Sequence, residues 1–296
     1  MLIYIADAFD AGLPQKLAKL GEVTDDPARL ADADVVLIRS KTKATKEYID
    51  SAPKMKLIVR GGVGIDNIDS AYAATKGIMV RNTPKASAIA VAEQAFALMI
   101  AVPNHLITAH NAMALEGKFL KKELKRTELY GKTLCLIGMG NIAVEVAKRA
   151  AAFGMKVKAY RKSGQPSEFA DVKSTLQEAL TGADYISMHT PLTDETRGMI
   201  NKSTIAMMKD GVVIVNTGRG KCVVPEDLVE ALTSGKVRAY ATDVWPSDPP
   251  PPDYPLLKAP NVIMAPHLGA STKENLLRIG VEVEAMLKEL VEGGKL

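Results

Sequence analysis

Short apolar runs alternate along the chain with segments in which apolar positions recur every three or four residues. In the first hundred residues the apolar runs are "MLIYIA", "DVVLIRS", "KLIVRGG" and "IMVRNTP", and each is followed by a segment with helical spacing. Apolar runs of this length, bounded by turn residues, predict buried strands. Strands that alternate with helices predict a parallel sheet covered by helices on both faces.

The same alternation starts again at "KTLCLIGMG" (132–140) and continues to "VIMAPH" (262–267). A long apolar helix is predicted at 86–102, between the two alternating regions, and a last helix at 271–293 could pack back on the first region. The proline-rich stretch 246–255 has no periodicity and predicts a stiff loop. The pattern therefore predicts an α/β fold with two doubly wound parallel-sheet domains.

Composition narrows the class of protein. Of the 296 residues, 47% are hydrophobic and 24% charged, which is typical of a soluble globular protein, and no apolar run approaches a membrane span. The net charge of +4 is too small to indicate nucleic-acid binding, and the opening "MLIYIADAFD" has no basic leader. The only cysteines, Cys135 and Cys222, lie in apolar surroundings and indicate a reduced, cytoplasmic protein. No spacing of His, Cys or acids indicates a metal site.

A glycine-rich turn follows the first strand of the second region. Gly138 and Gly140 come directly after "LCLI" and before a helical segment, and Ala143 occupies the third position of the fingerprint. Gly138 permits the tight turn, Gly140 lets the backbone approach a pyrophosphate at the helix N-terminus, and a small residue suffices at the third position. The order strand, glycines, helix and strand predicts a dinucleotide site.

The residue expected to select the coenzyme is basic. Arg161 stands at the end of the next strand, "VKAY", where NAD-binding units carry an acid that accepts hydrogen bonds from the ribose hydroxyls. An arginine offers planar donors suited to a 2′-phosphate, and Lys162 and Ser163 can add to it. We therefore expect NADP(H) to be favoured, with NAD(H) bound more loosely at a surface arginine as the alternative.

Six stretches carry a resemblance to a known family. From end to end the chain resembles the D-isomer-specific 2-hydroxyacid dehydrogenases, in the family's order, at 60–69, 82–99, 128–143, 189–200, 216–220 and 265–272. The resemblance implies a flavodoxin-like substrate domain of residues 1–98 and 268–296, a Rossmann coenzyme domain of residues 99–267, and a homodimer. The implied activity is hydride transfer between a nicotinamide coenzyme and a D-2-hydroxyacid/2-ketoacid pair.

The resemblance also implies a catalytic set. Arg219 in "NTGRG" would hold the substrate carboxylate and polarise its ketone oxygen. His267 in "APHLG" would give a proton to that oxygen in reduction and take it back in oxidation. The family has a Glu five residues after the Asp of its "DVW" stretch, and the same count from Asp243 reaches Asp248, which is one methylene shorter. Asp248 paired with His267 would favour the charged imidazole.

Binding residues carry over from the family by position. The coenzyme set is Thr83, Gly138, Gly140, Asn141, Ile142, Arg161, Lys162, His189, Thr190, Pro191, Thr196, Thr217, Gly218, Asp243, Gly269 and Ala270. The substrate set is Arg39, Ser40, Arg60, Gly61, Gly62, Val63 and Gly64. The backbone of the "GGVGID" loop can present N–H groups to a carboxylate.

Three strands of the first region end in arginine, at Arg39, Arg60 and Arg81. Strand ends of a parallel sheet face the ligand, so these charges suggest a second anionic group on the substrate, or else salt bridges. The arginines resemble those of a 3-phosphoglycerate dehydrogenase, which is the expected activity. The basic coenzyme position favours the alternative, an NADPH-dependent glyoxylate/hydroxypyruvate reductase. A coenzyme-sensing corepressor is a remote alternative, against which the intact catalytic set argues.

Overall fold

A computed structural model describes all 296 residues. The chain forms two compact units, Met1–Ser87 with Ala270–Leu296, and Ala88–Gly269. The first domain boundary expected from the sequence, between residues 98 and 99, falls inside the helix Ala88–Ala101. That whole helix belongs to the second unit, because its buried face packs on the helix that follows the glycine-rich turn.

The first unit contains one five-stranded parallel sheet. Its strands are β1 (Leu2–Ile5), β2 (Glu22–Thr24), β3 (Val35–Ile38), β4 (Leu57–Arg60) and β5 (Met79–Asn82), and its first helices are α1 (Leu13–Leu17), α2 (Lys46–Asp50) and α3 (Ser70–Thr75). The order β2-β1-β3-β4-β5 is the flavodoxin-like order. Every residue of β3 is buried because helices cover both faces of the sheet, so this strand is apolar throughout.

The second unit contains a seven-stranded parallel sheet. Its strands are β6 (Thr133–Ile137), β7 (Lys156–Tyr160), β8 (Asp171–Lys173), β9 (Tyr185–Met188), β10 (Val212–Asn216), β11 (Val237–Thr242) and β12 (Val262–Met264). Its helices are α4 (Ala88–Ala101), α5 (Leu106–Glu116), α6 (Asn141–Ala152), α7 (Leu176–Leu180), α8 (Lys202–Ala206) and α9 (Pro225–Ser234). The order β12-β11-β10-β9-β6-β7-β8 is the Rossmann order with one further strand. The predicted α/β fold with two doubly wound sheets is confirmed.

The last helix, α10 (Lys273–Glu292), returns to the first unit as expected. Its buried residues Ile279, Val283 and Leu287 join the same core cluster as Leu13 and Leu17 of α1. Three short 3₁₀ helices complete the structure, at Pro27–Asp32, Gly220–Cys222 and Pro255–Leu257. No single helix is long and apolar enough to cross a membrane. Helices α4 and α5 reach that length and composition only when they are counted together, and the pair is bent by 65°.

Two features of the second sheet place the site. The strand order reverses at β6, with β7 on one side of it and β9 on the other. In open α/β sheets, ligands bind at the carboxyl ends of the strands where the order reverses. The three strands β10, β11 and β12 lie side by side. Their carboxyl ends therefore share one edge of the sheet.

Candidate active site

The turn between β6 and α6 is built as a dinucleotide fingerprint requires. Gly138 has φ +94°, and a Cβ there would lie 2.8 Å from the His189 carbonyl oxygen, so the turn requires glycine. At Gly140 a Cβ would meet nothing within 4 Å, which leaves the backbone open to a ligand. Asn141 and Ile142 begin α6, whose N-terminus has no side-chain cap, so its first N–H groups can bind a phosphate.

The basic residues at the end of β7 have an acidic neighbour that sequence reasoning missed. Arg161 is partly buried, and the amine of Lys162 forms an ion pair with Glu195. Both partners of the pair are largely exposed, at 75% and 65% of their side-chain surface. Lys162 follows β7 and Glu195 follows β9, the two strands that flank β6. A carboxylate thus stands at the position where a 2′-phosphate was expected.

The loop after β9 holds the predicted coenzyme residues His189, Thr190, Pro191 and Thr196. His189 Nε2 lies 2.8 Å from Ser187 Oγ, and Thr196 Oγ1 donates to the Pro191 carbonyl at 2.6 Å, which closes the loop. Burial lowers the pKa of His189 from 6.5 to about 4, so the ring is neutral near pH 7.

Buried polar atoms without a hydrogen-bond partner occur in this region, among them His189 Nδ1 and Thr217 Oγ1. Such atoms are rare in folded proteins because leaving one unpaired costs about 1–3 kcal/mol. Both belong to residues expected to bind the coenzyme. A polar ligand at this edge of the sheet would supply the missing partners, so the residues present fit a dinucleotide.

The Arg219 loop is shaped by a buried asparagine at the end of β10. Asn216 Nδ2 donates to the Arg219 carbonyl at 3.1 Å and to Tyr240 Oη at 3.0 Å, and its Oδ1 accepts the Gly218 N–H at 3.0 Å. The Arg219 guanidinium donates to the Gly218 carbonyl at 2.8 Å. A buried Asn ending the apolar strand "VVIVN" was the available signal for this role, and sequence reasoning missed it.

Asp248 and His267 are in direct contact. His267 Nδ1 lies 2.5 Å from Asp248 Oδ2, and both side chains are partly exposed. The Nδ1 contact leaves Nε2 as the ring nitrogen available to a reacting oxygen. The pair has the arrangement of a base oriented by an acid. The shorter Asp248 side chain therefore reaches the histidine that it was expected to pair with.

The His267 loop has a strained backbone and a buried anchor. His267 adopts φ +58°, a left-handed conformation that non-glycine residues rarely take. The buried Asp243 carboxylate accepts the N–H groups of Leu268 at 2.8 Å and Gly269 at 2.7 Å. Burial raises the pKa of Asp243, although these two N–H groups oppose the shift. Asp243, expected to meet the nicotinamide, thus also holds the segment that carries His267.

In the first unit, the predicted substrate residues Arg39 and Ser40 lie in a loop that begins directly after β3. Asp7 accepts the Arg39 N–H at 2.6 Å and the Thr42 hydroxyl at 2.8 Å, and Asn67 Nδ2 donates to the Arg39 carbonyl at 2.7 Å. Asp7 and Asn67 are positioning residues that sequence reasoning missed. The Arg39 guanidinium reaches only backbone carbonyls, Ala8 at 3.3 Å and the predicted coenzyme residue Ala270 at 3.4 Å, and its Nε is buried without a partner.

The other predicted first-unit residues surround the glycine loop after β4. The Arg60 guanidinium folds over Gly62, where a Cβ would lie 1.5 Å from Nη1. Gly61 packs against Phe9, Val63 and Gly64 continue the loop, and the Thr83 N–H donates to the Gly62 carbonyl at 3.0 Å. Arg81, which lies opposite Val59 on the edge strand, is exposed and donates to the Val80 carbonyl at 3.2 Å. The sequence had suggested that Arg81 ends its strand, but the strand continues to Asn82.

Comparisons with known proteins agree with this architecture. A family model described as "D-isomer specific 2-hydroxyacid dehydrogenase, NAD binding domain" matches residues 96–269. The chain is 48% identical over 268 residues to a hydroxypyruvate reductase of Thermotoga maritima, covering 88% of this chain and 86% of that protein. It is 43% identical over 269 residues to a D-3-phosphoglycerate dehydrogenase of Methanocaldococcus jannaschii, covering 90% of this chain and 51% of that protein.

Among solved structures, a D-lactate dehydrogenase of Aquifex aeolicus, complexed with NAD and lactic acid, superimposes with a TM-score of 0.86 at 30% identity, covering 99% of this chain and 96% of that one. The chain belongs to the D-isomer specific 2-hydroxyacid dehydrogenase family. It is accordingly an oxidoreductase that uses a nicotinamide coenzyme and a 2-hydroxyacid/2-ketoacid pair. It spans most of the hydroxypyruvate reductase but about half of the phosphoglycerate dehydrogenase.

Proposed function

We propose that Arg219, Asp248 and His267 carry out the proton transfer and substrate orientation of a reversible D-2-hydroxyacid dehydrogenase. The observation that carries this is the 2.5 Å contact between His267 Nδ1 and Asp248 Oδ2. When bound, the reduced nicotinamide supplies the hydride to the carbonyl carbon. His267 Nε2–H gives its proton to the ketone oxygen, so that one hydride and one proton complete the alcohol, and Asp248 stabilises the charged ring beforehand. Arg219 holds the carboxylate and stabilises charge on the oxygen.

The substrate pair we propose is 3-phosphoglycerate and its ketoacid. Its support is Arg39, whose partly buried guanidinium has two long bonds to carbonyl oxygens and no carboxylate hydrogen bond. Burial lowers the pKa of Arg39, which is the direction expected for a cation removed from water without full compensation. A phosphate would provide the charged oxygen acceptors that the planar guanidinium binds best.

A second candidate is the reduction of hydroxypyruvate or glyoxylate. It is favoured by the relative of Thermotoga maritima, which is 48% identical and of which this chain covers 86%. The phosphoglycerate dehydrogenase is less similar and is covered over 51% of its length. The two candidates share the catalytic set and differ only in whether the substrate carries a second anion.

For the coenzyme we propose a preference for NADP(H), with NAD(H) also used. Arg161 supports it, because its guanidinium can bind a 2′-phosphate where an NAD-specific unit has an acid. Glu195 opposes it, because its carboxylate pairs with Lys162 and would repel the phosphate. The preference therefore rests mainly on Arg161 and should be moderate.

We also propose a homodimer formed through helix α5. Only Ala112 of this helix is buried, whereas Leu115 is 76% exposed and Phe119, just beyond the helix, is 74% exposed. Leu106, Ile107 and Met113 are also exposed. An apolar helix surface of this extent favours a protein partner, and a second copy of the chain would bury it twice. The buried free thiols of Cys135 and Cys222 support our placing of the enzyme in a reducing cytoplasm.

Steady-state rates with four ketoacids test the proposal: 3-phosphohydroxypyruvate, hydroxypyruvate, glyoxylate and pyruvate, each with NADPH and NADH. The highest kcat/KM should be found with 3-phosphohydroxypyruvate and NADPH. A higher kcat/KM with hydroxypyruvate would select the second candidate. Coenzyme binding without turnover of any of the four would contradict the catalytic proposal and favour a coenzyme-sensing protein.

A further inference from the structure

Trp245 contacts the segments on both sides of its own strand. It follows β11, the strand between β10 and β12 in the sheet. Its indole Nε1–H donates to the Ala265 carbonyl at 2.9 Å, two residues before His267. Its ring meets that of Tyr254 edge-on, with centroids 6.2 Å apart. Trp245 is also three residues before Asp248 in the chain.

On the other side, the Trp245 backbone lies against Gly220, the residue that follows Arg219. A Cβ at Gly220 would lie 2.3 Å from the Trp245 carbonyl carbon and 2.6 Å from its oxygen. Only glycine permits this approach without movement of one of the two chains. The Arg219 loop therefore lies directly on the segment that leads to Asp248.

We propose that Trp245 is a positioning residue that holds Arg219, Asp248 and His267 in register with one another. The inference rests on the proposed function of those three residues. The Arg219 loop meets Trp245 through Gly220, the Asp248 segment continues from it along the chain, and the His267 segment is joined to it through the Ala265 carbonyl. Each catalytic residue comes from a different strand end, so no single strand sets their relative positions.

The reaction is sensitive to such positioning. Hydride and proton reach adjacent atoms of one carbonyl group, and displacement of a catalytic group by about 1 Å can cost on the order of 10²-fold in rate. His267 lies on a strained left-handed backbone that relaxes unless neighbouring contacts hold it. Asp243 anchors this segment after His267, and Trp245 anchors it before His267.

The test is Trp245→Phe, which keeps an aromatic ring beside Tyr254 and removes the N–H donor. We expect kcat for ketoacid reduction to fall about 3- to 10-fold, the change expected from one hydrogen bond that fixes the reacting geometry. The KM for the coenzyme should stay within twofold, because the turn at Gly138 and Gly140 does not involve Trp245.

Tyr185→Phe is the matched control. It removes the hydroxyl that accepts a hydrogen bond from Arg238 Nη2 at 3.3 Å, at the amino end of β9 and away from the strand ends that carry the catalytic residues. This variant also loses one hydrogen bond of a buried aromatic side chain, and it should leave kcat unchanged. If Trp245→Phe behaves like Tyr185→Phe, the role of Trp245 is structural and the inference is wrong.

Gly220→Ala tests the same junction from the Arg219 side. The added methyl should displace the Arg219 loop from Trp245, lower kcat by at least about 10-fold and raise the KM for the ketoacid. Asp248→Asn, measured in parallel, separates the two proposals. Loss of activity in Asp248→Asn with normal kinetics in Trp245→Phe overturns only the positioning role. Normal turnover in Asp248→Asn contradicts the proposed catalytic function itself.

Discussion

Asp248 Oδ2 lies 2.5 Å from His267 Nδ1, although the two residues follow different strands and are 19 positions apart in the sequence. The contact orients the ring through Nδ1 and leaves Nε2 on its other side. In the proposed mechanism Nε2–H gives its proton to the ketone oxygen, and the Asp248 carboxylate stabilises the charged ring.

Asp248→Asn should therefore lower kcat for ketone reduction by about 10²-fold, within the range for general acid catalysis. Asp253→Asn, in the same proline-rich loop, is the control and should leave kcat unchanged. Asp248→Glu should keep much of the activity. An unchanged rate in Asp248→Asn would mean that another group is the acid.

Coenzyme selection should respond to Arg161, which follows β7, and to Glu195, which follows β9. Arg161→Asp should shift the NADPH/NADH ratio of kcat/KM by at least about tenfold toward NADH, because one charge-assisted bond of roughly 1.5–3 kcal/mol is lost. Glu195→Gln should shift the ratio the other way by about fivefold, because a charge near the phosphate is removed and Lys162 is released. Asp194→Asn loses a neighbouring charge in the same loop and is the control. No change in Arg161→Asp would place the 2′-phosphate elsewhere.

Substrate selection should depend on Arg39. Arg39→Gln should lower kcat/KM for 3-phosphohydroxypyruvate by about 10²-fold, because a desolvated ionic contact is lost. For hydroxypyruvate the decrease in kcat/KM should be smaller than about threefold. Arg81→Gln removes an exposed arginine on the edge strand and should affect neither substrate. Equal losses with both substrates in Arg39→Gln would assign this arginine to the shared carboxylate or to folding.

Stability should decrease in acid because of His189. The folded protein keeps this ring neutral to about pH 4, whereas the unfolded chain binds the proton near the ordinary pKa of 6.5. The unfolded state therefore binds more protons between these two pH values. As the pH is lowered through that window, the free energy of unfolding decreases. Between pH 7 and pH 5 the contribution is roughly 1–2 kcal/mol. Urea unfolding of His189→Asn should show a smaller decrease than the wild type, whereas the surface variant His110→Asn should not. An equal decrease in His189→Asn would show that other groups cause it.

Helix α5 should control association. Leu115→Glu combined with Phe119→Glu should convert a dimer to a monomer in sedimentation equilibrium, because two charges would be buried in an apolar interface. Val281→Glu, at an apolar position on α10 that is 57% exposed, should leave the mass unchanged. A wild-type protein that is a monomer at all concentrations would contradict the proposal.

The sequence predicted those parts of the fold that have strong local patterns. Ten of the twelve strands were predicted, and β2 and β8 were missed because they are three-residue edge strands with polar residues, "EVT" and "DVK". Helix α5 was also missed. A helix shows an apolar stripe in its sequence when one of its faces is buried, and only one residue of α5 is buried. The boundary expected at 98/99 falls inside α4, because apolar residues continue on both sides of that point and leave no break in the pattern.

The predicted site residues came from motifs, and the residues that support them did not. Gly138 could be placed because its turn requires glycine, and Gly140 because it stands at a fixed distance from Gly138 in the same motif. Glu195 pairs with a residue 33 positions away, and Trp245 acts through a carbonyl group 20 positions away. Neither contact leaves a local pattern, because each depends on how strand ends meet. Such residues can be found only once the strands are placed side by side.

Trp245 is the only tryptophan in the chain, so the intrinsic fluorescence of the folded enzyme comes mainly from one junction beside the catalytic residues. Reduced nicotinamide absorbs light in the range in which indole emits. Binding of NADPH should therefore quench this emission by energy transfer, and closing or loosening of the loops should change its colour. The protein thus carries an optical reporter beside its proposed catalytic residues, with no label to attach and no second tryptophan to subtract.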